Sequence, residues 1–531
     1  MPDEFSDTPT RLNLADFLLD RHIREGRGGN PAIKFQYQTL TYSELQRLTN
    51  RFGNALIKAG AKSQDRIGIR MYNSHLAVAS IFAIEKIGAV PVPISPLWTA
   101  KELAYVIDDA EIELLIVNAV LAGELQGAKE LIGGRVRGII IDGEPETVRE
   151  CGDLSFEEML AEGSPRLSPV LLEDGDIAVI LYTSGTSGRP KGCVHFIRQT
   201  VINTRLVNRY VYRVRPGDVL GGAAPVSFAA GFGTLTLIPF EGGGAISLLP
   251  RFSPREMLES ISRHKTTVMT GLPTLYRTLA KLPDFKRFDL SSVRLYTTGG
   301  DSLGAETFER WKALTGKPVW EGLGSTELLH LVTSNTMSSE PAPKSVGKPL
   351  PGIVLSIADQ HGNECDAGEV GSLRIKAPSG TLYWKPYANG NRLLDLQTAS
   401  VVDGWNCIGD AVYHGPRGNI YFIAREDDMI KTSGYRISPA EIEEVISLHP
   451  VVADVGVIGV TDPVKGQIAK AVVVLREGVM DTRGIVESLR EFMKSRLAPY
   501  KLPRQIEFKG KLPRSASGKL QRRVLRMISK L

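Results

Sequence analysis

Between residues 41 and 118 the chain alternates helical and strand patterns, and that alternation limits the available folds more than any other feature. TYSELQRLTNRFGNALIKAG (41–60) reads as a helix: Leu45, Leu48, Phe52 and Ala55 share a face, Thr41 and Glu44 have capping-box spacing, and Gly60 stops it. DRIGIRM then reads as a strand, His75 to about Ile87 as a helix, VPVPI as a strand, Lys101 to Asp109 as a helix and ELLIVN as a strand. Strands separated by helices predict a parallel sheet with right-handed crossovers. Ligands of such sheets bind beyond the carboxyl ends of the strands.

The texture changes twice further on. From about Gly352 to Phe422, short alternating runs (IVLSIA, GSLRIKA, GNIYFIA) broken by Gly, Asn and Asp predict antiparallel β-structure. After about Asp428, Ser438-Pro439-Ala440-Glu441 has the spacing of a capped helix start with proline in the first turn. The strand patterns VADVGVIGV and AKAVVVL and the helix RGIVESLREFMKSRL follow. The expected class is therefore α/β. A large N-terminal part (1–426) would combine parallel α/β subdomains with a β-rich one, and a small α+β domain (427–531) would follow.

A length of 531 residues, 42% hydrophobic and 23% charged, is ordinary globular composition and argues against disordered or fibrous classes. The net charge of +5 demands neither nucleic acid nor membrane but allows an anionic ligand. Four widely spaced cysteines suggest neither a zinc site nor a disulfide framework. The polar, acidic start MPDEFSDTPTRLN does not read as a signal peptide, and no run of about 20 apolar residues occurs, so a cytoplasmic location and no membrane span are expected.

The sharpest local feature is a buried-strand pattern, Ile177 to Tyr182, running into TSGTSGRPKG. Glycines let backbone N–H groups turn toward an anion, hydroxyls add donors and Lys191 adds charge, so a phosphate-binding loop is expected. It is not a Walker A loop, because Pro190 precedes the lysine and Gly192 follows it. GLGSTELLH (322–330) places Thr326 and Glu327 where a helix could begin; the carboxylate would favour the helix dipole or, beside a triphosphate, hold Mg²⁺. AREDDMIKTSGYRISPAE (424–441) crowds charges at the expected domain junction, and LPRSASGKL puts Lys519 in a Ser/Gly-rich loop.

In this order the segments resemble the adenylate-forming superfamily of acyl-CoA synthetases, adenylation domains and luciferases, over nearly the whole chain. GLGSTELLHLVTSN and REDDMIKTSGY look most like the benzoate- and aminobenzoate-CoA ligase branch. The resemblance implies that a carboxylate attacks the α-phosphorus of ATP, giving an acyl-adenylate and pyrophosphate, and that the thiol of CoA then displaces AMP.

It also implies roles. Thr183, Ser184, Gly185, Thr186, Ser187, Gly188 and Lys191 would cover the β- and γ-phosphates, Thr326 would contact the α-phosphate and Glu327 would hold Mg²⁺. Gly299, Gly300 and Asp301 would line the adenine pocket, and Asp410 and Arg425 would hold the ribose. Asp427 would be the hinge of the small domain, and Lys519 the lysine bridging acid and α-phosphate. Lys431 and Gly434 would serve CoA, Gly434 by lining the pantetheine tunnel, and Arg436 would contact phosphate. Phe228, Ala229, Ala230, Gly231, Gly324 and His330 would line the acid pocket.

There are departures from the family pattern. Leu323 replaces a tyrosine common before the second glycine, and Ala230 stands near where benzoate-type relatives carry a tyrosine, which suggests room for a ring substituent. The expected substrate is benzoate, 2-aminobenzoate or a hydroxybenzoate, with ATP, Mg²⁺ and CoA. The alternatives are a medium-chain fatty acid, or loading of a carrier protein. The last 38 residues hold twelve Lys or Arg and one acidic residue, Glu507, which taken alone would suit nucleic acid but lacks interleaved aromatics. No nucleic-acid partner is expected, and a monomer or homodimer remains open.

Overall fold

The computed structural model describes residues 8–132, 134–183, 190–338, 340–384, 393–432, 435–462, 466–479, 483–515 and 519–529. By contact the chain separates into two compact units, Met1–Val354 with Ile375–Asn406, and Leu355–Arg374 with Cys407–Leu531. The expected boundary at residue 427 falls inside the second unit, on the 3₁₀ turn Glu426–Asp428.

The first unit is built on two largely parallel sheets. In one, the strands run in the order Val90–Pro93, Arg66–Arg70, Leu114–Asn118, Gly138–Asp142, Leu154–Ser155, every pair parallel. The run ELLIVN is apolar throughout because both faces of its strand are covered. Leu114 and Ile116 enter one core with helix Tyr42–Lys58, whereas Leu115 and Val117 enter another with helix Ala100–Asp109. The expected capping box is present at Thr41 and Glu44, and a second forms at Thr99 and Glu102.

The other sheet has seven strands, in the order Val319–Gly322, Leu295–Gly299, Val268–Gly271, Val219–Gly222, Ala245–Leu248, Pro31–Phe35, Gln38–Thr41. All pairs are parallel except the terminal hairpin. Four of these strands end on glycine. Gly222, Gly299 and Gly322 have no room for a Cβ: it would lie 2.6–2.8 Å from the backbone oxygens of Thr270, Gly322 and Thr333 respectively.

In the second unit, Asp410 to His414 of the strand Trp405–His414 pairs antiparallel with Ile420–Arg425, as the alternating texture predicts. Toward the C-terminus Val452–Asp462 and Gly466–Leu475 form a long antiparallel ribbon. Its residues also alternate between two cores. Val457 and Val473 pack with the helices Pro439–Ser447 and Arg483–Lys494, and Ile458 and Val472 with Leu525 of the helix Arg522–Ile528.

The capping box expected at Ser438 does not form. The Ser438 hydroxyl donates instead to the carbonyl of Ile423, and Glu441 pairs with Lys501, because tertiary partners compete successfully for both side chains. Part of the basic C-terminal stretch is matched by acids. Arg514 pairs with Asp454, Arg522 with Asp428 and Glu443, Arg526 with Asp428, and Lys509 with Glu507. Among the described residues, no helix is long and apolar enough to cross a membrane.

Candidate active site

The carboxyl edge of the seven-stranded sheet gathers several of the predicted residues. Thr298 pairs with Glu321 and Gly299 with Gly322, so Gly299-Gly300-Asp301 and the segment after Gly322 leave the sheet side by side. Gly300 has φ +81°, a left-handed conformation suited to glycine, and the Asp301 carboxylate accepts the Ser302 N–H at 2.9 Å. Beyond Gly322 no helix begins. Thr326–Leu328 is a single 3₁₀ turn, closed by Leu329 at φ +71°, so Glu327 does not stand at the N-terminus of a helix as its position suggested.

The turn lies against the strand Lys191–Phe196, which pairs with Ile177–Thr183. Of the expected phosphate loop, Ser184, Gly185, Thr186, Ser187 and Gly188 lie outside the described residues; Thr183 and Lys191 pair directly at its base. Residues 191, 193 and 195 share one face of their strand. The Lys191 ammonium sits 5.5 Å from the ring centroid of Tyr383. The buried Cys193 thiol is pushed well above its ordinary pKa by burial and then by the Glu327 charge. His195 is buried beside the Thr326 backbone, and burial lowers its pKa to about 4. Tyr383 completes the group, its hydroxyl 3.4 Å from the Glu327 carboxylate.

Tyr383 and His195 were missed in the sequence. Only the alternation of KGCVH could have pointed to His195, and Tyr383 arrives from a segment some 190 residues away. Glu327 is a lone carboxylate: among the described residues, no group of three or more His, Cys, Asp and Glu could cage a metal. That donor set suits Mg²⁺, which keeps waters and binds through one or two carboxylates together with substrate phosphates.

The expected acid pocket is assembled from two segments. Phe228 precedes the short helix Ala229–Phe232, where Ala229 is buried and Ala230 exposed. A π-helical turn, Gly233–Leu237, follows, and Pro239 just beyond it has no N–H to give a regular helix. Two glycines permit close approach. A Cβ on Gly231 would strike the Pro225 carbonyl, and one on Gly233 would lie 2.3 Å from the His330 ring. Gly324 is held as tightly against the His330 carbonyl.

His330 is not on a helix, as its sequence context suggested, but just past the 3₁₀ turn. Its ring meets Tyr212 edge-on at 5.9 Å, and neither nitrogen has a hydrogen-bond partner among the described residues. Burial holds it neutral, with a pKa near 4.

In the second unit, Asp410 and Arg425 are direct cross-strand partners, with the guanidinium donating to the buried carboxylate at 2.7 Å. Asp427 lies on the 3₁₀ turn Glu426–Asp428, where its carbonyl accepts from Arg526 at 3.2 Å. Lys431 and Arg436 are backbone register partners in the hairpin of Ile430–Thr432 with Tyr435–Ile437, and Gly434 lies outside the described residues. Lys519 is exposed, and it bonds reciprocally with Ser515: Ser515 N–H donates to the Lys519 carbonyl at 2.7 Å, and Lys519 N–H to the Ser515 hydroxyl at 3.1 Å.

Comparison with known proteins settles the family. Residues 19–383 match the AMP-binding enzyme family, and residues 441–519 match the AMP-binding enzyme C-terminal domain. The chain belongs to the AMP-binding enzyme family. It is an adenylate-forming enzyme of the ATP-dependent acid–CoA ligase class, near the benzoate–CoA ligase branch. The benzoate–CoA ligase of Thauera aromatica is 32% identical, covering 98% of this chain and 96% of that protein. A long-chain-fatty-acid–CoA ligase of Bacillus subtilis is 29% identical over 98% of this chain and 96% of its own length. Among solved structures, the anthranilate CoA ligase AuaEII in complex with anthranoyl-AMP superposes with a TM-score of 0.91 at 29% identity, covering 99% of both chains.

Proposed function

We propose that this AMP-binding enzyme activates an aromatic carboxylate, of benzoate, 2-aminobenzoate or hydroxybenzoate type, and transfers the acyl group to CoA. The observation that carries the reading is the buried, neutral His330. Its ring packs on Gly233 with unpartnered nitrogens, a polar handle at the edge of a segment (Ser227 to Gly233) that offers no acidic group to hold an α-amine. A flat ring with a hydrogen-bonding substituent suits such a wall, since an orphaned buried nitrogen gains most from a ligand that pairs it. The similarity to benzoate and anthranilate ligases supports the same reading.

In the first half-reaction a carboxylate oxygen of the acid bonds to the α-phosphorus of ATP, the bridge to the β-phosphorus breaks, and pyrophosphate leaves. Such a transfer needs positioning and charge neutralisation rather than covalent help from the protein. Lys191 and the loop before it would hold the outer phosphates and Thr326 would meet the α-phosphate. Mg²⁺, when bound, supplies charge neutralisation at the phosphates, and Glu327 is the residue that would hold it. Asp410 and Arg425 would share their ion pair with the ribose hydroxyls, and Gly299 to Asp301 would border the adenine. Lys519 would bridge the acid and the α-phosphate. In the second half-reaction the sulfur of CoA bonds to the acyl carbon and AMP leaves. The part from residue 427 onward would turn about Asp427 so that Lys431, Gly434 and Arg436 serve CoA.

Pyrophosphate release with ATP and Mg²⁺, measured over benzoate, 2-aminobenzoate, hydroxybenzoates, phenylacetate and octanoate with and without CoA, tests the proposal. CoA-dependent turnover peaking on a ring-bearing acid is expected. A peak on octanoate would overturn the aromatic assignment, and release indifferent to CoA would point to a carrier protein as acceptor.

A further inference from the structure

We infer that Tyr383 is a positioning residue for the metal–nucleotide end of the site: its hydroxyl orients the Glu327 carboxylate while its ring holds the Lys191 ammonium in place. The inference rests on the proposed role of Glu327 as the Mg²⁺-holding residue. Tyr383 is 3% exposed and lies in a small apolar cluster with Cys193 and Leu396. Its backbone is fixed before its side chain does anything. The Val194 N–H donates to the Leu382 carbonyl and the Trp384 N–H to the Gly192 carbonyl, both at 2.8 Å, so Leu382 to Trp384 run as a short third strand with Tyr383 opposite Cys193. Gln397 clamps the same segment, accepting the Tyr383 N–H at 2.9 Å and donating to the Thr381 carbonyl at 2.8 Å.

From that anchored position the phenol reaches two groups, the Glu327 carboxylate and the Ser400 hydroxyl, each at 3.4 Å. A phenol has one proton to give. Glu327 can only accept, and Ser400 can donate to the phenol oxygen, so the arrangement that satisfies all three runs from Ser400 through Tyr383 to Glu327. At 3.4 Å the contact is longer than a tight hydroxyl–carboxylate bond. The ring faces Lys191 at 5.5 Å, within cation–π range. One side chain thus touches both charges, of opposite sign, that the outer phosphates and their metal would meet, and a carboxylate held from behind has less freedom to lose when it takes a cation.

The test is binding, read in full-length protein without turnover. Mn²⁺–ATP binding is followed by the electron paramagnetic resonance of Mn²⁺, and AMP binding is measured separately without metal. Tyr383→Phe keeps the ring and its packing and removes only the hydroxyl. Mn²⁺–ATP should then bind about 10-fold more weakly, the effect of losing roughly one hydrogen bond, while metal-free AMP binds as in wild type. Tyr383→Leu, which also uncovers Lys191, should in addition weaken ATP without metal. Equal weakening of Mn²⁺–ATP and AMP in Tyr383→Phe would show a merely structural role and overturn the inference, as would no weakening of either. Wild-type protein that binds ATP no better with Mn²⁺ than without would instead remove the underlying reading of Glu327.

Discussion

At the scale of the residue, the site sets the charged groups Lys191 and Glu327 beside histidines kept uncharged by burial. His195 and His330 are both held near a pKa of about 4, against 6.5 for a free imidazole. Lowered histidine pKa values mean that the unfolded chain binds protons first. Stability is therefore full above about pH 6.5 and falls as pH drops toward 4, by up to about 1.4 kcal/mol per pH unit for each such histidine. Urea midpoints at pH 7 and pH 5 should show this loss, and His330→Gln should reduce it; an unchanged pH slope in the variant would contradict the buried, neutral histidine. For Lys519, whose exposure suits a group that engages only when ligand is present, Lys519→Ala should slow adenylation by about 10²–10³. The same variant should still form thioester from preformed adenylate and CoA. Equal loss in both steps would remove its assignment.

At the scale of the element, what the sequence made legible was whatever depends on period and local spacing. The helix Tyr42–Lys58 with its capping box, the parallel strands and the ribbon Val452–Asp462 with Gly466–Leu475 are where the apolar patterns put them. Local spacing failed where a distant group offered a better partner. Ser438 has the sequence of a capping box but donates to Ile423, and Glu327 stands on a 3₁₀ turn that no pattern announces. The π-helical turn at Gly233–Leu237, just before Pro239, was not foreseen either. Within the second unit, the helix Arg522–Ile528 grips the turn Glu426–Asp428 through Arg522 and Arg526 on Asp428, while Glu443 takes the second branch of Arg522 and the Val457 N–H. Arg522→Ala would leave Glu443 half-satisfied, at a cost of about 1–3 kcal/mol in urea unfolding. Wild-type stability in that variant would mean the arginine contacts are incidental.

At the scale of the whole molecule, the functional residues divide between the two units. Lys191, Gly299 to Asp301, Thr326, Glu327 and His330 lie in the first, and Asp410, Arg425, Asp427 and Lys519 in the second. The order of motifs along the chain disclosed the superfamily, and pairing at the sheet edge explains why residues as far apart as 191, 327 and 383 form one cluster. Substrate identity was not legible in the same way, because the shape of the acid pocket comes from close approaches such as Gly233 to His330, which no spacing encodes. The central claim is that a carboxylate oxygen of the substrate attacks the α-phosphorus of ATP. The most direct measurement uses the preferred acid labelled with ¹⁸O in its carboxylate, with mass spectrometry of the nucleotide and phosphate products after complete turnover with CoA. One labelled oxygen should appear in AMP and none in pyrophosphate. Label in orthophosphate, accompanied by ADP, would place the attack at the γ-phosphorus and contradict the account.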